Sequence, residues 1–298
     1  MFKHAHLLAS LLLVGFATAY ANEHSNNTVS PSLAQHVDIE GTSLYIECFG
    51  ENAPNIIVHS GFGGAGSDGG WESVIESISK TNRICFYDRA NIGKSSRSTG
   101  HYDIQVIAKQ LDVLLTEAKV KPPYVMVSHS YGSYSVRAYN HLYKDKVSAV
   151  LLVDPTQYGM FYNGVAKWNP EEDTYSKDEV ARMKAEQAGF NDPNSNPERI
   201  NHKTSAEFIR NSDDFGSTPL TLIWNKNGIW QGGDAPDTWH PKTWDRMKTM
   251  YAKAIDDMHK LSTKQTTRFA NTEQHNIFFY EPSIVIEEFK TLLVKIKQ

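Results

Sequence analysis

The sequence predicts an α/β fold, a mostly parallel eight-stranded sheet with helices on both faces. Three observations predict it. Short apolar runs with β-branched residues at their centre, such as Asn55-Ile56-Ile57-Val58-His59, have the unbroken hydrophobic character of strands covered on two faces. Segments of helical spacing alternate with those runs along the chain, as they do when helices wrap a parallel sheet. The apolar run 124–128 passes through one sharp bend at Ser130 into a segment that reads as a helix through Tyr143.

The N-terminus is different in kind. Lys3 precedes an apolar stretch from Leu7 to Ala19, shorter than the about 20 residues that cross a bilayer. Ala19-Tyr20-Ala21 then offers a small-x-small cleavage site. Residues 1–21 therefore read as a secretory signal peptide and stand outside the fold. No cysteine follows the cut. The mature protein is expected to be exported, periplasmic or secreted, with no membrane anchor after signal removal. Residues 22–35 read as a flexible segment and 36–298 as the folded domain.

Within that domain strands are expected near 37–40, 43–49, 55–59, 83–87, 124–128, 148–153, 219–224 and 266–270. Helices fit near 71–79, 104–118, 131–143, 242–260 and 283–296. In the helix after Asp103, Ile107, Leu111, Leu114 and Leu115 recur at helical spacing, so that face is core. Between Asp154 and Pro219 the chain turns polar. Two loosely amphipathic stretches, 171–187 and 197–211, flank Gly189-Phe190-Asn191-Asp192-Pro193. They read as an α-helical cap inserted after the sixth strand, at about 156–218.

The candidate chemistry centres on Val127-Ser128-His129-Ser130-Tyr131-Gly132. A serine on a strand-to-helix bend is held above the sheet with its hydroxyl exposed, and the turn aims backbone N–H groups at the same spot. Small residues two places before and after Ser130 avoid a collision where strand and helix cross. Upstream, Ser60-Gly61-Phe62-Gly63-Gly64 forms a loop whose glycines let backbone approach a ligand. Farther on come Tyr87-Asp88-Arg89-Ala90-Asn91-Ile92-Gly93-Lys94-Ser95, Leu152-Val153-Asp154-Pro155 and Gln274-His275-Asn276. In that order and spacing these five segments resemble the α/β-hydrolase family, over about residues 38–298. Ser128 departs mildly from the glycine usual there.

Other readings of the glycines fail. Gly93-Lys94-Ser95 ends like a phosphate-binding loop, but Asp88 stands where that pattern needs glycine. The run 61–70 lacks the spaced triplet of a dinucleotide site. With a net charge of −4 and no basic cluster, nucleic acid and anionic membranes have no electrostatic claim on the chain.

A nucleophilic serine needs a base, and the base an orienting acid. The resemblance implies His275 as base, in the loop after the last strand. His59 is expected to line the oxyanion loop. His129, adjacent to the serine in sequence, is expected to point away and pack locally. His24, His36, His101, His141, His202 and His259 sit near no strand end that would carry them to the serine, and His240 reads as a surface loop residue. Most relatives carry the acid after the strand that follows the cap, where this chain has Asn225 and Asn227 and no carboxylate before Asp234. The alternative family position, at the end of the preceding strand, holds Asp154. Asp154 is the preferred acid and Asp234 the runner-up.

The resemblance then implies acyl transfer, with Ser130 attacking a carbonyl and the oxyanion held by the N–H groups of Phe62 and Tyr131. Metal and organic cofactors are not needed for it. A small or medium carboxylic ester or related acyl compound is the expected partner. Aspartate nucleophiles serve dehalogenases and epoxide hydrolases of this fold, so serine at 130 argues against both. Peptidase or carbon–carbon hydrolase activity, and a non-catalytic binding protein on the same scaffold, remain alternatives. Tyr158, Phe161, Tyr162, Trp168, Trp224 and Trp230 suit either an apolar pocket or simple docking of the cap. Cys48 and Cys85 fall on strands that lie side by side in the family sheet, so a disulfide between them is expected in an oxidising compartment.

Overall fold

The structure, a computed structural model, describes residues 29–156, 177–226 and 241–296. The expected signal peptide, Asp234, His24, His240, the aromatic residues 158–168 and Trp230 lie outside the described residues.

Eight strands form one sheet in the order β1-β2-β4-β3-β5-β6-β7-β8. They are β1 Leu33–Ile39, β2 Thr42–Phe49, β3 Asn55–His59, β4 Ile84–Tyr87, β5 Tyr124–His129, β6 Val147–Val153, β7 Leu220–Trp224 and β8 Gln265–Phe269. β1 and β2 pair antiparallel, as do β2 and β4, and every later pairing is parallel. The first strand begins at Leu33, inside the stretch expected to be flexible, because residues 33–39 pair in continuous register with 42–48. A full ladder satisfies backbone groups that a loose segment would leave to water.

Among the described residues eight α-helices accompany the sheet: α1 Glu72–Ile78, α2 Ile104–Glu117, α3 Gly132–Leu142, α4 Lys177–Asn191, α5 His202–Arg210, α6 Pro241–Met258, α7 Ile277–Tyr280 and α8 Pro282–Ile296. The Asp103 carboxylate accepts from Val106 N and caps α2, while Ile104, Ile107, Ala108, Leu111, Leu114 and Leu115 turn one stripe inward. Alternate residues of the strands feed two cores. Ile57, Met126, Val150 and Leu222 pack with α2 and α3 on one face; Ile56, Val125, Leu151 and Ile223 pack with α1 and α8 on the other. Helices on both faces explain the unbroken apolar runs of β3, β5 and β6.

Cys48 and Cys85 face each other across the β2–β4 ladder and are joined by a disulfide. Between β6 and β7 the chain leaves the sheet to build α4, which overlaps the expected helical stretch 171–187, and α5, which lies within the expected stretch 197–211. This insertion is stitched to the sheet domain by a short bridge. Tyr102 N donates to Arg199 O (3.0 Å) and Asn201 N to Tyr102 O (2.7 Å).

Candidate active site

Parallel strands that end together bring their C-terminal residues to one edge of the sheet. β5 and β6 are neighbours, and each is followed directly by a non-glycine residue with left-handed backbone: Ser130 at φ 51° and Asp154 at φ 42°. Such a conformation costs an ordinary residue about 1–2 kcal/mol, so two of them side by side mark a place the surrounding structure holds on purpose. The bend is held by backbone bonds. Ser130 N donates to Val153 O, Thr156 N to Ser130 O, and Asp154 N to Ile223 O, at 3.2, 3.1 and 2.7 Å.

Gly132 opens α3 directly behind the bend, with Tyr131 as the preceding cap residue. A Cβ at Gly132 would come within 2.2 Å of His59 O. The small residue is therefore demanded by the neighbouring strand β3, not only by the crossing of β5 with its own helix. On the other side, a Cβ at Gly61 would meet His129 Nδ1 at 3.1 Å and the Ser130 Cβ at 3.2 Å. The loop 60–64 thus lies flat against the serine bend. The rings of Phe62 and Tyr131 stand 5.9 Å apart, edge to face.

His275 reaches this edge from the loop between β8 and α7. Its Nδ1 lies 2.6 Å from Asp154 Oδ2, with the ring partly exposed and the carboxylate fully buried. A buried carboxylate needs partners, and Asp154 has two more in the Asn225 backbone N–H (3.2 Å) and side-chain amide (3.1 Å). The structure therefore brings Asp154 and His275 into contact at the sheet edge where the Ser130 bend lies. Among the described residues, no hydrogen bond joins the Ser130 hydroxyl to the His275 ring.

Three histidines depart from expectation. His129 is buried with its ring 4.4 Å from that of His275 and 4.9 Å from that of Phe278. Its Nε2 lies 3.1 Å from His275 O, so that nitrogen carries the proton and donates. Burial, then the His275 charge, push His129 well below the ordinary histidine range, so it stays neutral. It is packed across the site rather than locally. His59 does not line the loop. It is fully buried against Tyr87 and pushed down to about 3, first by burial and then by Arg89. His202, at the start of α5, comes to the site after all, its ring 5.0 Å from Phe62 and 5.7 Å from Tyr131. Burial lowers it to about 4. No sequence pattern announces where an inserted helix docks, which is why His202 escapes a reading along the chain.

A buried ion pair that no sequence motif announces lies nearby. Arg89 lies at the end of β4 and Glu198 in the insertion, and both are almost wholly buried. Arg89 Nε and Nη2 donate to the two oxygens of Glu198 at 2.6 and 2.9 Å. Burial alone would push the guanidinium down, but the Glu198 charge more than offsets this and keeps Arg89 charged. Nearby, Asp88 closes the turn 88–95 by accepting from Ser67 N, Ser67 Oγ and Lys94 N. Among the described residues no cluster of three His, Cys, Asp or Glu side chains is arranged to hold a metal ion.

Residues 54–212, just over half of the chain, match the family model of the alpha/beta hydrolase fold. This chain is a member of that family. One relative of the α/β-hydrolase described here is the uncharacterised protein YqjL of Bacillus subtilis (strain 168), 34% identical over 106 residues. That match covers 36% of this chain and 41% of the relative, so the chain spans less than half of YqjL. A (lyso)-N-acylphosphatidylethanolamine lipase of Bos taurus is 29% identical over 108 residues, 35% of this chain and 31% of the lipase. Among solved structures, a loop variant of the haloalkane dehalogenase DbeA from Bradyrhizobium elkanii superposes with a TM-score of 0.60 at 12% identity. It covers 90% of this chain and 98% of its own, a likeness of fold.

Proposed function

We propose that this α/β-hydrolase is a serine hydrolase of carboxylic esters or related acyl compounds, with Ser130, His275 and Asp154 as its triad. One observation carries the reading. The His275 Nδ1–Asp154 Oδ2 contact of 2.6 Å stands at the same sheet edge as the strained Ser130 bend. Asp154 holds the imidazole with Nδ1 protonated, which leaves Nε2 to take the serine proton. The serine–histidine bond itself forms once substrate is bound, since catalytic contacts in ligand-free enzymes are often long or poorly aligned. Ser130 Oγ then attacks the carbonyl carbon and His275 accepts its proton. The oxyanion takes hydrogen bonds from Phe62 N and Tyr131 N, and collapse of the tetrahedral species expels the alcohol with the proton from His275. Water repeats the sequence on the acyl-enzyme and releases the acid. Serine rather than aspartate at the bend favours acyl transfer over displacement at carbon.

The reading includes export. The Cys48–Cys85 bridge suits an oxidising compartment, and residues 1–21 have the pattern of a signal peptide. Among the described residues no helix is long and apolar enough to cross a membrane.

The test is covalent labelling with a fluorophosphonate, followed by hydrolysis of nitrophenyl esters of rising acyl length. Labelling at Ser130, lost in Ser130→Ala together with hydrolysis, is the expected result. A folded wild-type protein that neither labels nor hydrolyses any ester would remove the reading.

A further inference from the structure

The Arg89–Glu198 pair touches more than itself. Arg89 Nη1 donates to Ser60 O at 2.8 Å and Nη2 to Gly61 O at 2.7 Å. Gly63 N donates to Glu198 Oε1 at 2.6 Å. The two ends of one ion pair therefore hold the peptide groups on either side of Phe62.

The geometry of a peptide makes this consequential. The Gly61–Phe62 bond is trans, so the Gly61 carbonyl and the Phe62 N–H point in opposite directions. Anchoring that carbonyl on a guanidinium turns the Phe62 N–H away from Arg89 and fixes the plane in which it lies. The next peptide carries the Phe62 carbonyl and the Gly63 N–H, and Glu198 fixes that plane. Both dihedrals of Phe62 are thereby set from outside the loop. The charge on Gly61 O also polarises the amide and makes its N–H a better donor.

We infer that Arg89 and Glu198 are positioning residues that set the Phe62 N–H as an oxyanion donor, with Glu198 making that donor depend on the docked insertion. The inference rests on the serine-hydrolase reading above. Glu198 belongs to the insertion between β6 and β7, and the Tyr102 bridge to residues 199–201 follows it immediately. The insertion is also tied down by Ile104 N donating to Ser205 Oγ at 3.0 Å. Lifting this segment would take the carboxylate from Gly63 and the counter-charge from Arg89 together.

The decisive variant is the double substitution Arg89→Met/Glu198→Leu, which leaves neither charge buried alone and removes the partners of Ser60 O, Gly61 O and Gly63 N together. Active sites are counted by exhaustive fluorophosphonate labelling, and kcat per labelled site and KM are measured on nitrophenyl acetate. Misplacement of a catalytic group by about 1 Å can cost 10²-fold. The expected result is therefore a kcat per site lower by about 10–100-fold, with KM within about threefold and the midpoint of the pH–rate profile unmoved. A purely structural role would lower the melting temperature or the labelled fraction and leave kcat per site untouched, and that outcome overturns the inference. Should the double variant not fold, Arg89→Lys keeps the charge but replaces the planar fork, whose three nitrogens make four contacts, by one nitrogen that cannot reproduce that spread. It should show the same loss of kcat, and a wild-type kcat there overturns the inference equally. Wild-type protein that fails to label at Ser130 marks failure of the serine reading itself, which takes this one with it.

Discussion

Asn225 donates its backbone N–H and its side-chain amide to the two oxygens of the Asp154 carboxylate, at 3.2 and 3.1 Å. It stands at the end of β7, where most relatives are expected to carry the acid itself. In the triad proposed here the acid sits one strand earlier, and the residue at the usual place supports its carboxylate. A hydrogen bond to a charged group contributes about 1.5–3 kcal/mol. Asn225→Ala should therefore lower kcat by about tenfold or more on a nitrophenyl ester, with the fold retained by circular dichroism. An unchanged kcat would show that the His275 contact alone suffices to orient Asp154.

Asp154→Asn keeps the shape of the site and removes the charge. In triads of this kind the equivalent change costs about 10⁴ in turnover, because the imidazole settles in the wrong tautomer. A loss of about 10³–10⁴ in kcat, with fluorophosphonate labelling slowed in parallel, is expected. A loss below tenfold would direct attention to another carboxylate.

Buried neutral histidines make the protein acid-sensitive. His202 is lowered to about 4 and His59 to about 3, first by burial in both cases. In the unfolded chain both bind a proton near 6.5. Between those values the unfolded state holds more protons, so stability is complete above about 6.5 and falls as the pH drops toward the folded values. Each such group contributes a slope of about 1.4 kcal/mol per pH unit in that window. Urea unfolding from pH 4 to 7 should show His202→Gln with a shallower slope than wild type by about that amount. Equal slopes would mean that His202 is protonated in the folded protein.

The disulfide closes a loop with a sequence separation of 37. Cross-linking a loop of that size lowers the entropy of the unfolded chain by an amount equivalent to about 4 kcal/mol at 25 °C. Guanidinium unfolding with and without a strong reductant should differ by about 2–4 kcal/mol. With the bond buried inside the β2–β4 ladder, reduction should also require opening of the fold, so its rate should track unfolding. Rapid reduction of the native protein would contradict this.

The sequence alone determined the sheet and its helices, because hydrophobic periodicity is a local property. β3, β5 and β6 are buried on both faces and read as unbroken apolar runs, while α2 carries its stripe at helical spacing. The serine bend was legible for the same reason: its small neighbours and the strand-to-helix switch lie within six residues. β1 starts four residues before the expected strand, since an edge strand with one exposed face resembles loop in sequence and is defined by its ladder with β2. Only the tertiary structure decided which groups meet across the chain. The contact of His275 with Asp154, the two bonds of Asn225, the ring of His129 on His275 and the grip of Arg89 and Glu198 on loop 60–63 join residues up to 146 positions apart. Spacing along a chain carries no distance between such residues; the strand order and the docking of an insertion do.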